Sequence, residues 1–427
     1  MTLGVIADDL TGATDAASAI LRTGLRVALT FGTPSGKELL DLGDANVVVA
    51  ALKIRSVPAA VARRAVRATL AAFGDADVRY AYYKYCSTFD STPAGNIGPI
   101  ADELLASLAA HTFLHVPAYP ANGRTIYNGH LFVDGTLLHE SPMRHHPLNP
   151  MADSLLSRVL APQTPHRIGV LGFPALHRGP AAAEIELRRL TAGAGAVHVV
   201  CDTLIDDHFG VLTGLSDPGR LTGGGAPMAA AMCARLSKGH RVNCSATDVA
   251  ERRPPLGHEV VIAGSASAAT ARQIAAFTGP VKRLSAAELA DDGAPARVFA
   301  WASRHWRDRP GQPVLITSDA DQHGLVRGPA EFDGQSAAEV VERGLGDIAA
   351  CLVTAGARRM VVAGGETSGA VARALGLSSV RVGAEICTGV PWTFTPDDEL
   401  AIAFKSGNFG PDDLFVTAFA ELGVPCP

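Results

Sequence analysis

The chain has 427 residues, 47% of them apolar and 19% charged, and a formal net charge of −5. That balance describes a globular protein of two or three domains and excludes a disordered chain. No lysine/arginine stripe marks a nucleic-acid partner. The longest apolar runs are of strand length, far below the roughly 20 residues of a membrane span. The N-terminus lacks the basic start and cleavage site of a signal peptide. Seven scattered cysteines with no Cys-x-x-Cys read as reduced thiols. A cytoplasmic protein with no membrane partner is expected.

Leu3–Ala7 reads as a short buried strand that runs into the paired carboxylates Asp8 and Asp9 and then Thr11-Gly12. Thr11 or Thr14 can cap the helix that follows, on which Ala17, Ile20 and Leu21 recur at helical spacing and which Gly24 ends. Open α/β sheets bind ligands beyond the carboxyl ends of their strands, so both acids face the edge where a ligand would sit. One is expected to touch a substrate hydroxyl or a metal, and the other to be structural.

Strands at Leu25–Phe31, Asn46–Ala50, Val78–Tyr83 and Thr112–Val116 then alternate with helices near Pro58–Ala72 and Gly98–Ala109. Residues 117–150, rich in Pro, Gly, His and Asn, break the rhythm and predict a hairpin excursion with a functional loop. Alternation resumes with Arg167–Gly172, Ala181–Thr191 and Ala196–Cys201, and Gly223-Gly224-Gly225 is expected to open a helix through Leu236. Residues 238–257 read as a linker. A second α/β unit begins at His258, with strands at Glu259–Ala263, Val281–Leu284, Val314–Thr317, Arg359–Ala363, Val380–Val382 and Leu400–Phe404. The expected fold is α/β in two domains, 1–240 and 258–427, each a mainly parallel sheet with helices on both faces.

Three strands of the second unit end in glycine and serine: Gly264-Ser265-Ala266-Ser267, Gly364-Gly365-Glu366-Thr367-Ser368-Gly369 and Lys405-Ser406-Gly407-Asn408-Phe409-Gly410. Glycines let backbone N–H groups approach an anion, a helix N-terminus adds partial positive charge, and Lys405 offers a cation. Three such turns on one sheet edge suit a nucleotide, whereas Thr367 as a mere helix cap is the plainer reading of one turn alone. Neither the Walker spacing nor Gly-x-Gly-x-x-Gly after a strand occurs.

The first unit carries Lys84-Tyr85-Cys86-Ser87-Thr88-Phe89-Asp90-Ser91-Thr92, dense in hydroxyls, with one base and one acid. Lys84, Ser87, Thr88 and Asp90 there can hold a polyol and its carboxylate or phosphate. Lys53 and Arg55 are a second cationic candidate, and Asn122-Gly123-Arg124 a third. His139, His145 and His146 lack an acid at ligand spacing, so loop packing or substrate contact is a simpler reading than a metal. Leu221–Gly225 could bind an anion or cap a helix.

The motifs at 5–15, 84–92, 364–369 and 405–410 resemble the four-carbon acid sugar kinases, and the match runs nearly end to end. Gly95–Pro99 and Met143–Met151 look most like the branch that acts on 3-oxo-tetronate. The resemblance implies an acid-sugar domain followed by a nucleotide domain, and ATP-dependent phosphorylation of the C4 hydroxyl. It also implies nucleotide contacts at Ser265 and Ser267, at Gly364, Gly365, Glu366 and Thr367, and at Gly407. On that reading Mg²⁺ bridges the phosphate oxygens, and domain closure excludes water. Arg55, Lys84 or Arg124 holds the sugar carboxylate, with Asn122 beside it, and Asp8 or Asp9 accepts or orients the hydroxyl proton. The partners expected are the acid sugar and ATP. Metal ligands are unassigned and a homo-oligomer stays open. Kinase action on D-threonate or D-erythronate, a sugar-acid isomerase or lyase, and a ligand-binding regulator are the alternatives.

Overall fold

In a computed structural model of the protein, the residues described are 3–43, 45–145, 149–193, 195–217, 219–237, 254–319, 331–332 and 335–422. The chain divides into two compact units, 1–243 and 244–427.

The first unit is built on a parallel sheet. Its strands are β1 (Leu3–Ala7), β2 (Val27–Phe31), β3 (Val47–Ala51), β4 (Tyr80–Lys84) and β5 (Thr112–Val116). After β5 come the antiparallel excursion β6 (Arg124–Tyr127), β7 (His130–Val133) and β8 (Thr136–Leu137), and then β9 (Arg167–Leu171), β10 (Val197–Cys201) and β11 (Arg220–Gly224). The sheet order is β2-β3-β1-β4-β11-β5-β10-β9. Strands β1, β3, β5 and β10 are mostly apolar and buried along their whole length, as a sheet covered on both faces requires. Register aligns the strand ends: Ala7 pairs with Ala51 and with Lys84, and Gly224 with Lys84 and with Val116. The chain runs outward from β1 to β2, returns through β3, and crosses to β4 on the far side of β1. Right-handed crossovers then put the helices Leu10–Leu21 and Ala59–Asp75 on opposite faces and make the β1/β4 boundary the switch point.

The second unit has β12 (His258–Ala263), β13 (Val281–Leu284), β14 (Val314–Ser318), the short pair β15 (Glu331–Phe332) and β16 (Gln335–Ser336), then β17 (Ala357–Ala363), β18 (Ser379–Cys387), β19 (Val390–Phe394) and β20 (Ala401–Lys405). Its order is β13-β14-β12-β17-β20-β19-β18, parallel as far as β20 and antiparallel beyond. Val261, Leu315, Val361, Trp392, Ala403 and Phe415 form its core under the helix Leu414–Glu421.

Two expectations are corrected. Gly223 and Gly224 do not open a helix; they end β11, a central strand between β4 and β5, and the helix starts at Ala226. Their lack of side chains serves strand packing, because a Cβ at Gly224 would lie 2.0 Å from the Val116 carbonyl. Val390–Phe394 is a buried antiparallel strand absent from the expected set, and β18 reaches Cys387 rather than stopping at Val382. Most of the predicted linker, 238–253, lies outside the described residues. No helix among the described residues is long and apolar enough to cross a membrane.

Candidate active site

Asp8 and Asp9 leave β1 at the switch point and close on one cation. Arg55, just past β3, donates from Nε to Asp8 Oδ2 at 2.8 Å and from Nη2 to Asp8 Oδ1 at 2.9 Å. The same Nη2 lies 2.9 Å from Asp9 Oδ1, and Nη1 lies 3.4 Å from Asp90 Oδ2. Asp9, rather than Thr11 or Thr14, caps the helix: it accepts from the Gly12 N–H and from the Thr11 hydroxyl, both at 2.9 Å, while Thr14 donates to the Thr11 carbonyl.

The two acids differ in setting. Asp8 is 2% exposed and Asp9 28%. Burial pushes the Asp8 carboxyl above the ordinary range against the pull of Arg55. For Asp9, burial is outweighed by Arg55, Lys84 and the two capping bonds, so its pKa is lowered. Burial also works against the Arg55 guanidinium, but Asp8 and Asp9 outweigh it and hold it firmly protonated.

Lys84 ends β4 and is buried, not a loop residue. Its Nζ donates to the Tyr85 carbonyl at 3.2 Å and lies 3.9 Å from Asp15. Gly12 makes room for it, since a Cβ there would sit 2.4 Å from Asp9 Oδ1 and 3.0 Å from Lys84 Nζ. In the following loop Ser87 is half-buried, Thr88 pairs with Cys86 Sγ at 3.0 Å, and Phe89 adopts φ +53°, a strained setting for a bulky residue. Asn122 stands in the turn that leads into β6 and Arg124 opens that strand, where it donates to the Asn122 carbonyl. His139 bonds Ser154 at 2.7 Å; the side chain of His145 and all of His146 lie outside the described residues.

Two residues of this site went unnoticed in the sequence. Asn96 donates to the carbonyls of Ile54, Arg55 and Val57 at 2.8, 3.3 and 2.7 Å and so fixes the backbone that carries Arg55. Gln163 bonds Ser91 Oγ at 3.0 Å, the Thr92 carbonyl at 2.9 Å and the Gly98 N–H at 3.0 Å, which clamps the far end of the loop. The Gly95–Pro99 motif was the available signal for Asn96; nothing local marks Gln163.

In the second unit the three glycine/serine turns follow β12, β17 and β20, which are adjacent and parallel. Gly264 N–H donates to the Ala363 carbonyl at 3.1 Å and Gly364 N–H to the Lys405 carbonyl at 2.9 Å. Gly364 caps the helix Gly365–Ala374 at φ +121°, which suits glycine alone, so Thr367 is not the cap. Thr367 is buried instead, with Oγ1 2.9 Å from where a Gly364 Cβ would be, while Gly365 and Glu366 are exposed on the first turn.

Ser267 caps the helix Ala268–Ala276, and its hydroxyl donates to the Gly407 carbonyl at 2.5 Å. Ser265 crowds Gly407, where a Cβ would meet its Oγ at 2.3 Å. Lys405 is not a cation at the surface. It is fully buried, bonds Thr270 Oγ1 at 2.9 Å and the Gly407 carbonyl at 3.0 Å, and desolvation pushes its pKa down to about 7. Among the described residues no group of three or more His, Cys, Asp or Glu side chains could hold a metal.

A family model described as a sugar-binding N-terminal domain matches residues 3–232, and one described as a nucleotide-binding C-terminal domain matches residues 260–415. The chain is 42% identical over 435 residues to a 3-oxo-tetronate kinase of Cupriavidus necator, spanning 99% of this chain and 97% of that one. It is 42% identical over 427 residues to a 3-oxo-tetronate kinase of Pseudomonas savastanoi pv. phaseolicola, spanning 98% and 97%. A solved Salmonella typhimurium LT2 protein superposes with a TM-score of 0.85 at 34% identity over 99% of both chains. A Haemophilus influenzae structure superposes at 0.78 and 32% identity, over 98% of this chain and 100% of that one. With both domain models and full-length relatives matched, the chain belongs to the four-carbon acid sugar kinase family.

Proposed function

We infer that the protein is an ATP-dependent kinase acting on 3-oxo-tetronate, with the C4 hydroxyl as acceptor. The observation that carries the reading is the run of three glycine/serine turns over adjacent parallel strands of the nucleotide-binding domain. Bare backbone there suits phosphate groups, and glycine at 364 lets the turns after β12 and β17 pack closely, since a Cβ there would lie 2.9 Å from Thr367 Oγ1 and 3.3 Å from Ser265 Cβ. Gly364, Gly365, Glu366, Thr367, Ser265 and Gly407 line the nucleotide site, and Ser267 braces it through Gly407. Mg²⁺ travels with the nucleotide, where it neutralises phosphate oxygens.

In the sugar-binding domain Arg55 binds the substrate carboxylate beside the hydroxyls of Ser87 and Thr88. Asp8 holds Arg55 from beneath. Asp9, the more exposed acid, receives the attacking hydroxyl's proton or orients it, which is enough for a loose phosphoryl-transfer transition state. The test is ADP release against a panel of four-carbon sugar acids, each with and without its 3-keto form. Turnover confined to the 3-keto acid is the expected result. Equal turnover of D-threonate or D-erythronate would move the substrate, and product without ATP would replace the reaction class.

A further inference from the structure

A chain of buried hydrogen bonds runs beneath the first sheet's carboxyl edge and ends at the substrate loop. The Tyr85 hydroxyl lies 2.9 Å from His115 Nδ1, His115 Nε2 lies 2.9 Å from His198 Nδ1, and His198 Nε2 lies 2.8 Å from Asp102 Oδ1. Both histidines are 0% exposed and Asp102 is 6% exposed. The helix Ile97–Ser107 supplies Asp102, β10 supplies His198, and β5 supplies His115. The groups that also face Asp102 are Thr164, which donates to Oδ1 at 2.9 Å, Arg63 at 3.7 Å and His166 at 3.9 Å.

The direction of the chain follows from what each group can do. An ionised carboxylate only accepts, so His198 Nε2 carries a proton, and in a neutral imidazole its Nδ1 then accepts. His115 Nε2 must then donate, which leaves Nδ1 to accept from Tyr85. Burial disfavours a charge on His115, as this requires. The alternative polarity turns the Tyr85 hydroxyl to the Gly223 carbonyl, a longer contact of 3.3 Å. Tyr85 sits between Lys84 and Cys86, and its ring meets that of Phe89 edge-on at 5.6 Å, at the residue held at φ +53°.

We propose that Asp102, acting through His198 and His115, is a positioning residue that fixes the Tyr85 hydroxyl and with it the loop 85–92 against the acid sugar. The proposal rests on the reading of that loop as the acid-sugar loop. Its first test is independent of that reading: ¹⁵N shifts of the two imidazoles in the wild-type protein. Both should be Nε2–H tautomers, and a proton on His115 Nδ1 overturns the relay.

The second test is a cycle of Asp102→Asn, Tyr85→Phe and the pair. Each single change should cost about tenfold in kcat/KM for the acid sugar, the worth of one buried hydrogen bond, with KM for ATP unchanged. The double variant should lose no more than Asp102→Asn alone, because both act on one link. Losses that multiply, or a KM for ATP that rises in step, show general loosening and overturn the proposal. A wild-type protein with no turnover of any four-carbon sugar acid would remove the reading of the loop, and the imidazole shifts would still decide the relay.

Discussion

At the carboxyl edge of the first sheet, charge meets charge: Arg55 is held by Asp8, Asp9 and Asp90, and Lys84 is sealed beneath Gly12. At the same edge of the second sheet the facing groups are Gly264, Gly364 and Gly407, with Ser265, Ser267 and Thr367 between them, and Lys405 is turned inward. Both edges lie beyond the carboxyl ends of adjacent parallel strands, so strand direction does not explain the difference. The ligands do. A small acid sugar offers a carboxylate and hydroxyls in one fixed arrangement, which oriented side chains can select. Phosphate groups are common to every nucleotide, and backbone amides with room to approach suffice for them. The first edge therefore uses buried ion pairs to fix geometry, and the second uses glycines to let its turns approach one another.

If that contrast is right, the largest effect comes from the exposed acid of the charged edge. Asp9→Asn should lower kcat on the order of 10²-fold, as loss of a catalytic base does. Asn is as good a helix cap as Asp, so the fold should hold and the loss should sit in kcat. Steady-state kinetics with thermal denaturation alongside separates the two; a variant with full activity would make Asp9 a cap and nothing more. The buried acid should behave differently. Asp8→Asn leaves Arg55 with Asp9 and Asp90 but without its bidentate partner. Breaking a fully buried pair costs about 3–5 kcal/mol, and here less than about 2 kcal/mol is expected because Arg55 keeps two carboxylates and burial already works against a charge on Asp8. Urea denaturation reads that loss, and KM for the acid sugar should rise with it.

The contrast was legible in sequence only where its residues are neighbours. Asp8-Asp9 after an apolar run, and glycines after three others, could be read because strand, turn and helix follow within a dozen residues. The pairing of Arg55 with Asp8 spans 47 positions, and that of His198 with Asp102 spans 96. Such contacts depend on strand order, which local pattern does not specify. Gly223 and Gly224 misled for a related reason: a glycine that lets two strands approach looks, in sequence, like one that opens a helix. Lys405 misled because a lysine after a strand reads as exposed, and only its partners Thr270 and Gly407, brought in by the fold, turn it inward.

On the glycine edge, Gly407→Val should raise KM for ATP about tenfold or more and leave KM for the acid sugar alone. The cause differs from simple crowding of the nucleotide. The new Cβ would lie 2.3 Å from Ser265 Oγ and 3.2 Å from Ser267 Cβ, so two turns must part before any ligand arrives. Direct nucleotide titration checks it; unchanged affinity would mean that these turns do not hold ATP.

The smallest effect is the most specific to the second edge, because it concerns the cation that edge hides. Lys405 has its pKa pushed down to about 7 by desolvation, well below the unfolded lysine range. Above that value the unfolded chain binds a proton that the folded chain does not, so stability must rise with pH. Between pH 7 and 8 the gain is about 1 kcal/mol, since the folded amine passes from half to mostly deprotonated over that interval. A neutral amine still donates to both Thr270 Oγ1 and the Gly407 carbonyl, so the contacts are kept while the desolvation cost falls away. Other groups titrate in the same interval, and the informative quantity is therefore the difference from Lys405→Met. That variant fills the same apolar space and leaves the Gly407 carbonyl its bonds from Ser267 and Thr270. Urea melts at the two pH values should show the wild type gaining on the variant as pH rises. Parallel curves would mean that Lys405 stays charged, and the second edge would then rest on a buried cation much as the first does.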